Sequence, residues 1–486
     1  MSYYFISVGG TGAKILEALT HLSVAGVLPG AEKLNIIALD PDTGNGNLAR
    51  TKSVLEQIEK FQNVQIGAEG ALLKNKLKIW RTFPFNPLPK VGANLDQVMN
   101  ASIIENSPLG QLYGVLYSRR ERQTPLDVGF RGHPSIGAAV LTKQYTDPTN
   151  NQWAQLQEQI SGEIGAHLPV KVFFAGSIFG GTGAAGIPTI ARLLRNKFGA
   201  GISIGGVFML PYFMFIADSN KGLFAKSENF LTSAKAALKY YSQGEKDFDE
   251  MYFLGDNAVV NSDFSIGGPQ QCNDAHIVDL YGALAAVDFF GKTITHGIVN
   301  YNYICRDESD KFKWSDLQGL APDFKKRFVQ FSRFILTYLQ FAKPILDHPP
   351  KVTPGPFGGW AFAKMVGDAP PWYFSIAYNE KVQNQMTADA DKITEFNRYA
   401  ISYCIWLKQL ETLSSGRTVS LINPIFNVTN NVFVDEENFK WCDPDEVQGG
   451  LTLDDISTRL AKTEKAKTYA PGFGRLLRHV YDSCEV

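Results

Sequence analysis

Apolar positions near the start of the chain change period several times. Tyr3 to Val8 is a continuous β-rich run, the pattern of a strand buried on both faces. Gly9, Gly10 and Gly12 interrupt it. Ile15, Leu16, Leu19 and Leu22 then recur at helical spacing. A second strand is predicted at Leu34–Leu39, ending in Asp40-Pro41-Asp42 and a turn rich in glycine and asparagine. Residues 50–125 mix helical stretches with a Pro/Asn-rich piece (Phe83 to Pro89) and are expected to elaborate the core. Val170 to Ala175 predicts another buried strand, followed by a second glycine loop and a helix over Ile187–Leu194. Strands at Ile202–Met209 and Met251–Leu254 complete an alternation that predicts an α/β fold with a mostly parallel sheet.

Further on, Ile277, Leu280, Tyr281 and Leu284 predict a strongly apolar helix over 275–290. Phe324 to Phe341 predicts a second helix, whose stripe of Phe324, Phe328, Phe331, Phe334 and Tyr338 is expected to be core. Prolines cluster at 344–371 and mark a loop or linker, in which Trp360 and Trp372 offer either a contact surface or a lock onto the domain. A helix over about 380–413 and strands near Val419 to Val428 follow. The expected organisation is an α/β domain over 1–274, a central helix over 275–291 and a smaller α+β domain over 292–486.

Composition narrows the function classes. Among 486 residues, 44% are hydrophobic and 20% charged, so a packed core is expected and general disorder is excluded. A net charge of −1 argues against an electrostatic binder of nucleic acid or anionic membranes. No apolar run reaches the roughly 18 residues of a spanning helix. The opening MSYYFISVGG lacks a secretory pattern, so a cytoplasmic location is expected. The five cysteines are far apart with no Cys-x-x-Cys pair, which supports neither a disulfide framework nor a zinc ribbon, and no metal-ligand set is assigned. The run Ser118-Arg119-Arg120-Glu121-Arg122 is expected to be a solvated helix face.

The chemistry lies in two glycine loops at strand-to-helix junctions, Gly9-Gly10-Thr11-Gly12 and Gly180-Gly181-Thr182-Gly183. Glycine lets backbone amides approach an anion closely. The following helix adds unpaired N–H groups and a positive dipole end, and threonine adds a hydroxyl. Two such loops on one sheet could hold a polyphosphate. Neither is a Walker loop: Lys14 is at the wrong spacing with Ile15 after it, and the second loop has no lysine. The first lacks the third glycine of a dinucleotide fingerprint, because Ile15 stands there.

These residues resemble the tubulin/FtsZ superfamily of GTPases. Phe179-Gly180-Gly181-Thr182-Gly183-Ala184-Ala185 is similar to its signature loop, and the first loop to its opening phosphate loop. Asp40 follows the second strand, where the family carries an acidic residue. Gly129 to Gly137, with Gly132, His133 and Pro134, resembles a third phosphate loop that ends in Asn-Pro-Glu-x-Gly. Cys272-Asn273-Asp274 resembles the Ala-Asn-Asp that opens the central helix and reads the base, and Asn257 sits near another base- or ribose-contacting position. The matches follow family order over the first 60% or so of the chain. Phe179, Ala185, His133 and Gln270 depart from the family pattern, and the segment after Asp40 is long. Both features suit a divergent bacterial member.

The resemblance implies GTP/GDP and Mg²⁺ as cofactors, and head-to-tail self-association through the nucleotide face into cytoskeletal filaments. It also implies hydrolysis completed across the subunit interface by a carboxylate that positions water. Lys313-Trp314-Ser315-Asp316-Leu317 resembles the family's Asp-Phe-Ala-Asp-Val, with lysine in place of the first acid. That leaves Asp316, Asp310 and Asp307 as candidate catalytic residues and a weak or assembly-dependent GTPase as the expected activity. No membrane or nucleic-acid partner is expected, and another protein could bind the C-terminal domain. Lys313 motivates an alternative: a non-polymerising, nucleotide-dependent scaffold or switch. A dinucleotide-binding oxidoreductase is a third reading.

Overall fold

The structure is a computed structural model. It describes residues 1–29, 33–64, 76–79, 93–127, 129–130, 132–147, 150–215, 229–243, 245–256, 260–262, 267–303, 311–312, 324–347, 351–353, 364–366, 371–377, 387–410, 418–419, 426–427, 433–434, 453–469 and 472–485.

The predicted α/β layering is present. Seven strands form one sheet: β1 (Ser2–Val8), β2 (Lys33–Leu39), β3 (Lys76–Ile79), β4 (Val170–Ser177), β5 (Ser203–Met209), β6 (Glu250–Leu254) and β7 (Asn300–Tyr303). Their order is β3-β2-β1-β4-β5-β6-β7, and every pairing is parallel. Ten helices matter below: α1 (Gly9–Val24), α2 (Gly46–Phe61), α3 (Pro134–Thr146), α4 (Asn151–Gly165), α5 (Gly181–Phe198), α6 (Phe230–Tyr241), α7 (Ile277–Gly291), α8 (Phe324–Thr337), α9 (Ala390–Leu410) and α10 (Phe473–Ser483).

Successive tyrosines of β1 show the two faces of the sheet. The Tyr3 hydroxyl donates to the Phe290 carbonyl of α7 at 3.0 Å, and the Tyr4 hydroxyl donates to Glu163 of α4 at 2.7 Å. Side chains alternate along a strand, so α7 and α4 cover opposite faces. α1 lies with α7, where Ile15 packs against Gly282. α5 lies with α4, where Gly186 packs on Val8. The helix after β1 therefore leaves on one face and the helix after β4 on the other. This makes the gap between β1 and β4 the topological switch point, the place where open parallel sheets bind ligands.

Pro188 inside α5 cannot donate to the Ala184 carbonyl. The Tyr241 hydroxyl of α6 donates to that oxygen instead, at 3.0 Å. The helix thus stays continuous across its proline.

Two sequence expectations shift. Gly46–Phe61 lies partly in the region expected to elaborate the core, yet α2 is a core helix: Val54, Leu55, Ile58 and Phe61 are buried against α1 and α9. Lys76–Ile79 then extends the sheet at one edge. The helix expected at 275–291 starts at Ile277, because His276 caps it, and the sheet gains β7 beyond it. Phe324, Phe328, Phe331, Phe334 and Tyr338 are buried as expected, and Trp372 is buried against His479 of α10. No helix among the described residues is long and apolar enough to cross a membrane.

Candidate functional site

Both glycine loops sit at the carboxyl ends of β1 and β4, on the two sides of the switch point. They touch. A Cβ added to Gly9 would lie 3.3 Å from the Thr182 Cβ and 3.6 Å from the Gly183 nitrogen. Gly9 opens α1 at φ +75°, a conformation that strains other residues. Gly12 packs so closely that a Cβ would fall 2.5 Å from the Ala175 carbonyl oxygen, and one on Gly183 would fall 2.3 Å from that of Ser177. These two glycines set the approach of helix to strand. Gly10, Thr11, Gly180 and Thr182 remain partly exposed at the surface of the cradle.

The third predicted loop joins them. Gly129 and Gly132 both have positive φ, +82° and +79°. The His133 N–H donates to the Phe130 carbonyl at 2.8 Å and closes the turn. A Cβ on Gly181 would meet the Gly132 nitrogen at 2.9 Å, and one on Gly129 the Thr182 Oγ1 at 3.6 Å. His133 is the N-cap of α3, with Pro134 next, and its Nδ1 lies 3.6 Å from Glu121. Three helices, α1, α5 and α3, thus start at one place. None has a side-chain cap or an acidic residue in its first turn. Their first turns thus present N–H groups without a side-chain cap and positive dipole ends, an arrangement that suits an anion.

A second wall rises from the turn after β2. Asp40 is buried and its Oδ1 accepts from the Asp42 N–H at 3.1 Å. Burial pushes its carboxyl up to about 8, with the neighbouring Asp42 adding to the rise against that hydrogen bond. Asp42 accepts from the N–H groups of Gly44 (3.1 Å) and Gly268 (2.6 Å). Asn45 Nδ2 donates to Gln271 Oε1 at 2.8 Å. Asn47 and Asn273 bond twice: Asn273 N to Asn47 Oδ1 at 2.8 Å, and Asn47 Nδ2 to Asn273 Oδ1 at 3.3 Å. The position of a Gly10 Cβ is 3.2 Å from Asn45 Nδ2 and 3.4 Å from Asn47 Nδ2, so this amide clasp borders the first loop.

Asp274 is exposed. Its carboxylate accepts from Gln409 of α9 at 2.7 Å, and the Gln409 oxygen accepts from the Ala275 N–H at 3.0 Å. Beneath the first loop, Lys14 is buried and pairs with Asp279 at 2.9 Å. Lys14 also donates to the Asp274 carbonyl, and the Tyr212 hydroxyl donates to Asp279 at 2.8 Å. Lys14 is therefore committed to the protein and does not replace the lysine of a Walker loop.

Of the sequence-assigned residues, Gly9, Gly10, Thr11, Gly12, Asp40, Gly132, His133, Pro134, Gly180, Gly181, Thr182, Gly183, Asn273 and Asp274 belong to this one end of the sheet. Asn257 and the acids Asp307, Asp310 and Asp316 lie outside the described residues. Sequence reasoning missed Asn45, Asn47, Gln271 and Gln409. Asn45-Gly46-Asn47, in the turn that follows the second strand, was the available signal, since a Cβ on Gly46 would strike the Pro269 carbonyl at 2.5 Å.

No protein-family model and no curated protein matches the chain. Among solved structures it is similar to CetZ2 from Haloferax volcanii in a GTPgS-bound protofilament, at 14% identity and TM-score 0.28, over 59% of this chain and 58% of that one. It is similar to CetZ from Methanosaeta thermophila strain DSM 6194 at 15% identity and TM-score 0.24, over 52% of this chain and 46% of that one. It is also similar to the GDP-bound monomer of CetZ1 from Haloferax volcanii at 12% identity and TM-score 0.25, over 53% of this chain and 52% of that one. The chain thus matches between 46% and 58% of the length of these proteins.

Proposed function

We propose that the cradle binds a guanine nucleotide and that the chain is a tubulin/FtsZ-like GTP-binding protein. The observation that carries this is the convergence at the switch point of three uncapped helix N-termini, each entered from a glycine turn. Amides of the Gly9–Gly12 and Gly180–Gly183 loops grip the phosphates from two sides, and the Gly129–Pro134 turn closes the third. Asn273 and Asp274 take the nucleoside side in this reading, and the sequence resemblance assigns Asn257 to the same role. The described residues contain no group of three His, Cys, Asp or Glu side chains that could hold a metal. In this reading Mg²⁺ comes with the phosphates and offsets their charge. The further steps belong to the same reading: stacking head to tail and hydrolysis by Asp316, Asp310 or Asp307 of the next subunit. So does the division into 1–274, a central helix and 292–486.

Native mass spectrometry of the purified protein, with titration of labelled GTP, GDP, ATP and NAD into wild type and Gly180→Val, tests it. A Cβ there meets only Ser177, 3.0 Å from its Oγ, so the fold is expected to survive, with circular dichroism as the control. Guanine-nucleotide binding that Gly180→Val removes is the expected result. Bound NAD favours the oxidoreductase, and no nucleotide in any arm ends the proposal. Phosphate release and light scattering across a protein titration separate filament from switch. A specific activity that rises with concentration is expected, and a flat low rate favours the non-polymerising scaffold.

A further inference from the structure

The short segment between the second strand's edge and the third glycine turn carries an apolar face with no cover among the described residues. The helix Pro108–Leu116 buries only Tyr113, whose hydroxyl donates to Asp96 at 2.9 Å. Gly110 holds the helix against the preceding turn, since a Cβ there would lie 2.1 Å from the Ile104 carbonyl oxygen. The opposite side presents Leu109, Leu112, Val115 and Leu116, which at 100° per residue occupy about a third of the circumference. Ile103 sits next to them in the chain. These five side chains are between 52% and 83% exposed. A stripe of this kind, on the order of several hundred Å², marks an interaction site.

The charges around the stripe indicate its partner. From Ser107 to Ser118 no residue is charged. Exposed Glu105 stands at the amino end and exposed Arg119 at the carboxyl end. An apolar, uncharged centre with a charged rim is the anatomy of a protein interface. Its two ends have opposite sign, so the stripe is complementary to its own reversed copy. We propose that Pro108–Leu116 pairs antiparallel with the same helix of a second copy of this chain, across a two-fold axis, with Glu105 of each copy against Arg119 of the other. The stripe is smaller than the about 800 Å² per partner of a stable complex, so the pair forms in the micromolar range. It requires no nucleotide, and it is a different contact from a head-to-tail stack, which is not two-fold.

Sedimentation velocity without nucleotide, from roughly 1 to 100 µM, tests the pairing. Wild type is expected to shift from monomer to dimer across that range. Leu112→Glu/Val115→Glu is expected to weaken the dimer at least about tenfold, as are Glu105→Arg and Arg119→Glu singly. The double reversal Glu105→Arg/Arg119→Glu is expected to recover most of the loss. Circular dichroism and GTP binding serve as fold controls. A monomer at every concentration overturns the proposal, as does a dimer indifferent to Leu112→Glu/Val115→Glu. Failure of the double reversal to rescue overturns the antiparallel geometry. Flotation with phosphatidylglycerol vesicles is the last arm. A monomer that floats through Leu112 and Val115 assigns the stripe to lipid instead.

Discussion

Helix starts around the carboxyl end of the sheet are of two kinds. α2 and α7 are capped. Asn45 accepts from the Leu48 N–H at 3.2 Å, and His276 and Asp279 form a reciprocal box at the start of α7. α1, α5 and α3 begin at glycine or after a loop with no side-chain cap and no acid. A helix end near the core that forgoes its cap gives up about 1 kcal/mol. In the proposed reading the three such ends that meet at the switch point keep their amides for the nucleotide, whereas the capped ends around them hold the walls in place. Damage to a capped end is therefore expected to appear in stability, and damage to an uncapped end in binding.

The largest expected effect is at the capped end of α7. Asp279→Ala leaves Lys14 buried without its partner and the Tyr212 hydroxyl without its acceptor. A loss of about 3–5 kcal/mol is expected in urea unfolding. A loss under about 1 kcal/mol would show that the network is not a structural support.

Next is a swap of character at an uncapped end. Thr182→Asp places a carboxylate on the first turn of α5. Without nucleotide, it is expected to stabilise the protein by about 0.3–1 kcal/mol through the dipole. It is also expected to weaken GTP binding roughly a hundredfold or more through repulsion of phosphate. Thr182→Asn, of similar shape, is expected to bind far better. Equal binding by the two variants would remove the phosphates from this loop.

A pH dependence follows from the wall. Folding raises the Asp40 carboxyl to about 8 from 3.8, so its contribution is fully present below about pH 4 and is lost as pH rises towards 8. His21 and His276 work in the other direction. Burial lowers them to about 3 and about 4 from 6.5, so their contribution is lost as pH falls below 6.5. Between pH 6.5 and 8 the histidines' contribution is fully present and constant, so the Asp40 term sets the slope and stability is expected to fall by up to about 1.4 kcal/mol per pH unit. Asp40→Asn is expected to make that decline shallower. Urea midpoints at several pH values in this window measure it, and an unchanged slope would reassign the titration.

The smallest effect is loss of the α2 cap. Asn45→Ala is expected to cost about 1 kcal/mol. Because Asn45 also bonds Gln271 beside Gly10, a modest loss of nucleotide affinity is expected with it. A pure stability change would confine Asn45 to the wall.

Much of this could be read along the chain because the signals are local. An apolar run, a glycine interruption and a helical period made β1–α1 and β4–α5 visible; Gly12 and Gly183 stand where helix and strand approach most closely, and Gly9 and Gly181 where one glycine loop meets the next. α2 was harder to place in the core, since its Val54, Leu55, Ile58 and Phe61 stripe looks like any amphipathic surface helix until α9 covers it. α10 was not foreseen at all, although Leu476, Leu477 and Val480 are buried. The role of Lys14 was also hidden: its partner Asp279 is 265 positions away, and no local pattern connects them.

Sequence alone determined the alternation of strand and helix, the glycine breaks and the departure of both loops from Walker spacing, because each depends on neighbours in the chain. Tertiary structure decided which turns meet, which carboxylates are buried and which apolar stripe stays bare among the described residues. Those depend on strand order and on the solvent each group loses, and both exist only after distant segments have packed.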